Sequence, residues 1–159
     1  KSTARFSDCG LYRWELVRYF STGKGLVNFI MLNPSTADEF ANDPTISRCE
    51  SKALQLGYNK MIITNLFAFR SPYPQKIFQA KDPIGKLNNR YIKKNALNSD
   101  LVICAWGNLP KRKNRSEEVR EILSNKKIVL TYLKLNRSGE PAHPLYLPSE
   151  LKPKKWNSI

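Results

Sequence analysis

The apolar residues of this chain fall into short dense runs separated by polar, turn-rich segments. Four runs stand out: 26–32 (LVNFIML), 61–67 (MIITNLF), 101–106 (LVICAW) and 128–133 (IVLTYL). Each is short for a helix and rich in β-formers, so each predicts a buried strand. The segment 11–20 alternates more loosely, with Tyr12, Trp14 and Leu16 on one face. Ser21-Thr22-Gly23-Lys24-Gly25 supplies turn chemistry after it, so 11–20 and 26–32 read as an N-terminal hairpin.

Helical spacing fills the gaps between runs. Asp43-Pro44 is a helix start, with Asp at the N-cap and Pro in the first turn. Ile46, Cys49, Ala53 and Leu56 then recur on one side, and Gly57 stops the helix. Residues 88–97 predict a second helix with Tyr91, Ile92 and Ala96 as its apolar side. Ser116 is read as the cap of a third helix through 123, with Glu117 and Glu118 well placed in its first turn. From 134 onward the chain is loop-rich and holds its only histidine, His143.

Buried strands alternating with helices predict one α/β domain over residues 1–159. The expected architecture is a mainly parallel four-stranded sheet flanked by helices, plus the N-terminal hairpin. Ligands in such sheets bind beyond the carboxyl ends of the strands. That directs attention to Asn33-Pro34-Ser35-Thr36, Asn65-Leu66-Phe67, Trp106-Gly107-Asn108 and the loop with His143-Pro144. An Asn ending a buried strand is a poor strand former, and its amide must find partners or bind something. Two such residues, Asn33 and Asn65, beside a lone His point to a site rather than to two turns.

Charge sharpens the partner. The 159 residues carry 27 Lys and Arg against 13 Asp and Glu, a net charge of +14. That exceeds what solubility needs and favours a polyanion, with nucleic acid ahead of an anionic membrane and DNA favoured. The densest basic stretches are 111–115 and 152–155. No apolar run is long enough to span a bilayer, and the first eight residues lack the apolar stretch of a signal peptide. The three cysteines are far apart and form no CxxC pair, and one His leaves no zinc cluster. Free thiols in a reducing, cytoplasmic compartment are the simplest reading. Cys104, inside an apolar run, reads as a core filler. No metal or cofactor is expected, and the chain is read as a monomer. STGKG lacks the spacing of a phosphate-binding P-loop.

The segments YRWELVRYF, FIMLNPSTAD, NDPTISRC, NLFAFRSPYP, DPIGKLNN, CAWGN and HPLYLP resemble a family catalogued as domain of unknown function 1643, over most of the chain. More distantly, the order of the four loops resembles the uracil-DNA glycosylase superfamily. Asn33-Pro34 is similar to its first motif, Asn65 to its base-reading Asn, Trp106-Gly107 to the end of its next strand, and His143-Pro144 to its last motif.

That resemblance implies hydrolysis of the N-glycosidic bond of a base flipped out of the stack. Asn33 would then hold the attacking water through its side-chain carbonyl, a positioning role. His143 would donate a hydrogen bond to the base as negative charge grows there. Pro34, Ser35, Phe40, Asn65 and Phe67 would form the base pocket, with Asn65 reading the base edge. Phe69 is a further stacking candidate. Arg70, Ser71, Trp106, Gly107, Asn108, Tyr146, Leu147, Lys152, Lys154 and Lys155 would contact DNA, Tyr146 and Leu147 as a wedge.

Two departures matter. The water-activating Asp of many members is an amide here; Asp38 and Asp43 lie nearby, though Asp43 reads first as a helix cap. Ser35 stands where uracil-specific members carry a bulky Tyr, so a 5-substituted or otherwise modified base is expected. The competing readings are a non-catalytic nucleic-acid-binding module on the same fold and an enzyme of free nucleosides or nucleotides.

Overall fold

The four apolar runs become four parallel neighbours in the middle of a larger sheet. The structure is a computed structural model and describes residues 2–109 and 114–157, so most of the basic 111–115 stretch lies outside the described residues. The strands are β1 (Ser2–Phe6), β2 (Arg13–Tyr19), β3 (Leu26–Met31), β4 (Lys60–Asn65), β5 (Leu101–Cys104), β6 (Thr131–Tyr132) and β7 (Lys154–Lys155). Their order is β1-β2-β4-β3-β5-β6-β7. β4, β3, β5 and β6 run parallel, while β1, β2 and β7 pair antiparallel. The sheet is therefore mixed and seven-stranded, not four-stranded. The extra strands escape a count of apolar runs because β1 only half buries alternate residues and β7 is two exposed lysines.

A hairpin exists at the N-terminus, but between β1 and β2. β2 lies against β4 rather than β3. Both edges of β3 are taken by β4 and β5, which is what its near-complete burial demands. The 21–25 segment is a crossing, not a hairpin turn. Lys24 N–H donates to the Gly57 carbonyl, and a Cβ on Gly23, at φ +95°, would sit 2.5 Å from that oxygen. Only Gly fits there.

Helix α1 (Pro44–Gln55) covers one face of the sheet; α2 (Asn88–Leu97) and α3 (Asn114–Asn125) cover the other. Cys104 sits fully buried in the second layer, and burial pushes its thiol pKa up, as expected of a core filler. Ser116 is not the cap of α3. It lies inside the helix, and its hydroxyl donates to Glu140 Oε2 at 2.9 Å. The last apolar run yields only a two-residue strand, with Val129 exposed before it.

Asp43 is the N-cap of α1: its Oδ1 accepts from the Ile46 N–H at 2.9 Å. Asp43→Ala is expected to lower unfolding free energy by about 1 kcal/mol, and Asp43→Asn by far less, since Asn caps nearly as well. Urea titration checks this; equal losses for both would mean the cap is idle.

One irregularity shapes the site. Arg5 pairs with Glu15 but Phe6 with Arg13, so Trp14 is an extra residue in β2. This bulge breaks the alternation of side chains. Leu16 packs in the layer under α1, whereas Trp14 stacks on Tyr91 of α2 at 6.0 Å. Tyr12, Trp14 and Leu16 therefore do not share the single face that simple alternation predicts. Arg13 is instead delivered to the α1 side, where its Nη1 donates to the Ala37 carbonyl at 2.9 Å.

Candidate active site

Strand order reverses at β3. The chain goes through α1 to β4 on one side and returns through α2 to β5 on the other. Ligands in α/β sheets gather at the carboxyl ends near such a reversal. A cavity of about 180 Å³ lies there, between the ends of β3 and β4 and the first turn of α1. Its walls include Asn33, Ser35, Asp43, Asn65, Ser71 and His143, all singled out in the sequence, together with Arg13. An engineered cavity of about 150 Å³ holds one benzene, so the volume suits a single six-membered ring.

Asn33 has a fixed amide. Its Nδ2 donates to the Pro34 and Ser71 carbonyls, both at 2.9 Å. That commits both N–H bonds to backbone and leaves Oδ1 as the group on offer. Ser71 N–H also donates to the Pro34 carbonyl, so the loops after β3 and β4 are tied together. Ser71 is buried, with its hydroxyl donating to the Tyr73 carbonyl, and belongs to the cavity wall rather than to an exposed DNA surface.

Asn65 is the opposite case. Its backbone is held, because Asn88 Nδ2 donates to the carbonyls of Asn65 and Leu66 and Arg115 Nε also donates to that of Leu66. Its side-chain Nδ2 and Oδ1 are both buried without a partner. Strand alternation puts Asn65 on the same face as Ile63, also a wall residue. A buried amide with neither end paired costs roughly 1–3 kcal/mol, which a ligand offering both a donor and an acceptor would recover.

His143 is half-buried. Its Nδ1 accepts from the Leu145 N–H at 3.2 Å, so the neutral ring carries its proton on Nε2 as a donor. Burial lowers its pKa, opposed by the carboxylate of Asp43. The histidine loop is pinned from below. Gly107 N–H donates to the Pro141 carbonyl, and a Cβ on Gly107 would touch His143 Cβ at 3.6 Å. Gly107 has φ +76°, a conformation that side chains resist. Glu140 accepts from Trp106 Nε1 at 3.1 Å with one oxygen and from Ser116 with the other. Trp106 and Gly107 are thus buried supports of His143, not DNA contacts.

Other predicted residues stand elsewhere. Phe67 is fully buried, edge-on to Phe78, and has no face left for a base. Phe69 packs edge-on against Tyr12. Phe40 is 88% exposed and outside the cavity, and Pro34 is buried and does not line it either. Arg70 lies over Phe6 at 4.5 Å and donates to the Gly10 carbonyl. Asn108 is exposed, its Oδ1 accepting from Asn136 and Ser138. Tyr146 is 94% exposed at φ +68°, while Leu147 packs against the α1 layer with its carbonyl held by Arg48. Only Tyr146 of that pair is free to act as a wedge. Lys152, Lys154 and Lys155 are exposed at the β7 edge. Asp38 accepts from the Phe40 and Ala41 N–H groups outside the cavity, whereas Asp43 both caps α1 and forms part of the wall.

Arg13 is the wall residue that strand periodicity hides. The signal was an arginine inside an otherwise apolar strand, in YRWELV. Among the described residues no helix is long and apolar enough to cross a membrane. No curated protein and no solved structure matches the chain. A family profile does match, over residues 13–145, and the chain belongs to that family, described as Protein of unknown function (DUF1643).

Proposed function

We propose that this protein hydrolyses the N-glycosidic bond of a flipped, modified base in DNA. The observation that carries the reading is a ring-sized cavity walled by Asn33, Asn65 and His143 together. Their polar groups fit the three tasks. The free Oδ1 of Asn33 can orient a water, the unpaired amide of Asn65 can read a base edge, and Nε2–H of His143 can donate to a base carbonyl. Ser35 in the wall leaves room that a larger side chain would fill, which supports a 5-substituted base. The net charge of +14 supports a polyanionic substrate over a free nucleoside.

The test is abasic-site formation on duplexes carrying uracil, a mismatch or a 5-substituted pyrimidine, read as strand scission in hot alkali. Scission at the 5-substituted base, abolished in Asn33→Ala, is the expected result. Excision of uracil alone would sink the steric argument. Salt-sensitive DNA binding with no scission, unchanged in Asn33→Ala, would leave the non-catalytic binding module as the better account.

A further inference from the structure

We infer that the cavity is built for a planar heterocycle carrying negative charge, with Arg13 as its permanent counter-charge. In the reaction proposed above, on which the identity of the ring rests, that species is the departing base. The C1′–N bond breaks with its electron pair left on the ring, water oxygen bonds to C1′, and one water proton is released.

Arg13 is 2% exposed, yet among the described residues no carboxylate lies within ion-pair distance of it. Its Nη1 is spent on the Ala37 carbonyl, and its Nε is buried without a partner. A cation desolvated in this way is costly unless something answers it. Burial draws its pKa down to about 10, which leaves the guanidinium charged at neutral pH.

The other charged wall group is Asp43. Its carboxylate attracts Arg13 from beyond ion-pair distance, but it also accepts from the Ile46 N–H at the N-terminus of α1, where the helix dipole stabilises it. His143, neutral and donating through Nε2, adds no negative charge. The bulge at Trp14 is what brings Arg13 to this face, and bulges that re-aim a side chain recur beside active sites.

The inference is tested by calorimetric titration with two free rings at neutral pH: 5-nitrouracil, which is anionic there, and thymine, which is neutral. The unaltered protein should bind the anionic ring at least tenfold tighter. Arg13→Gln should lose that preference, and Arg13→Lys should keep part of it. Equal affinities, no binding of either ring, or a preference that survives Arg13→Gln would overturn the inference. The comparison on the unaltered protein stands even if a variant fails to fold. Excision assays separate the two ideas. An Arg13-dependent preference without excision of any duplex base sinks the glycosylase reading alone; excision without the preference sinks this one alone.

Discussion

In the proposed reaction, replacing His143 with Ala is expected to lower the excision rate by about 10²–10³-fold, equivalent to roughly 3–4 kcal/mol of barrier. The expected loss is large because, in that reaction, the donor faces charge that exists only as the bond breaks. His143→Asn keeps a donor and recovers part of the rate. The pH profile follows from the ring's surroundings. Nδ1 already accepts from Leu145, and burial holds the pKa below its usual 6.5. Excision should therefore be flat above that value and fall only well below it, where a second proton would face the Leu145 N–H. Stability has the same sign. The folded pKa is depressed, so the unfolded chain binds the proton more readily, and the His143 contribution is lost as pH falls through the folded pKa. Single-turnover excision and urea midpoints, both measured across acidic and neutral pH, check the two limbs. A rate for His143→Ala within threefold of the unaltered protein would remove His143 from the mechanism.

Trp106→Ala destabilises the fold by about 3–5 kcal/mol, the cost of emptying a large buried aromatic site. The melting temperature should drop by on the order of 10 °C. Trp106 is 1% exposed, tilts against Trp156 at 5.7 Å and packs within the layer that holds α2 and α3. Trp106→Phe keeps most of that packing but withdraws the indole N–H from Glu140, at about 1 kcal/mol. The Phe variant makes the sharper point. It should loosen the 134–142 loop and reduce excision more than its stability loss explains, because Glu140 joins that loop to β5 and α3. Hydrogen exchange at Ala142, whose N–H donates to the Lys134 carbonyl, reads the loosening directly. Unchanged exchange with lowered excision would mean that Trp106 acts on the ligand and not through the loop.

The parts of the site that follow from local rules were legible beforehand. Asn33 and Asn65 end apolar runs, and a polar residue at that place lies at the mouth of a parallel sheet whatever the rest of the fold does. His143 stood out as the only imidazole. Phe67 is ambiguous in the sequence because an aromatic after a strand fits a core and a base pocket equally well; its full burial and its contact with Phe78 of the following 74–79 turn decide between them. Trp106-Gly107 is ambiguous for a related reason. Its position after β5 is local, but its partners Glu140 and Pro141 arrive from another loop.

By itself, then, the sequence determined the four central strands, the helices between them, the cap at Asp43 and the loops that bear chemistry. Hydrophobic period and turn residues are short-range signals, and they are enough for that. Tertiary structure alone decided that β2 joins the sheet beside β4, that a bulge at Trp14 turns Arg13 inward, and that Asn65 is left with an unpaired amide. Each of these depends on which distant backbone groups are already taken, and pairing between remote strands leaves no trace in local periodicity. The cation in the cavity wall is therefore a property of the sheet's register, while its carboxylate, its amides and its imidazole are properties of the chain.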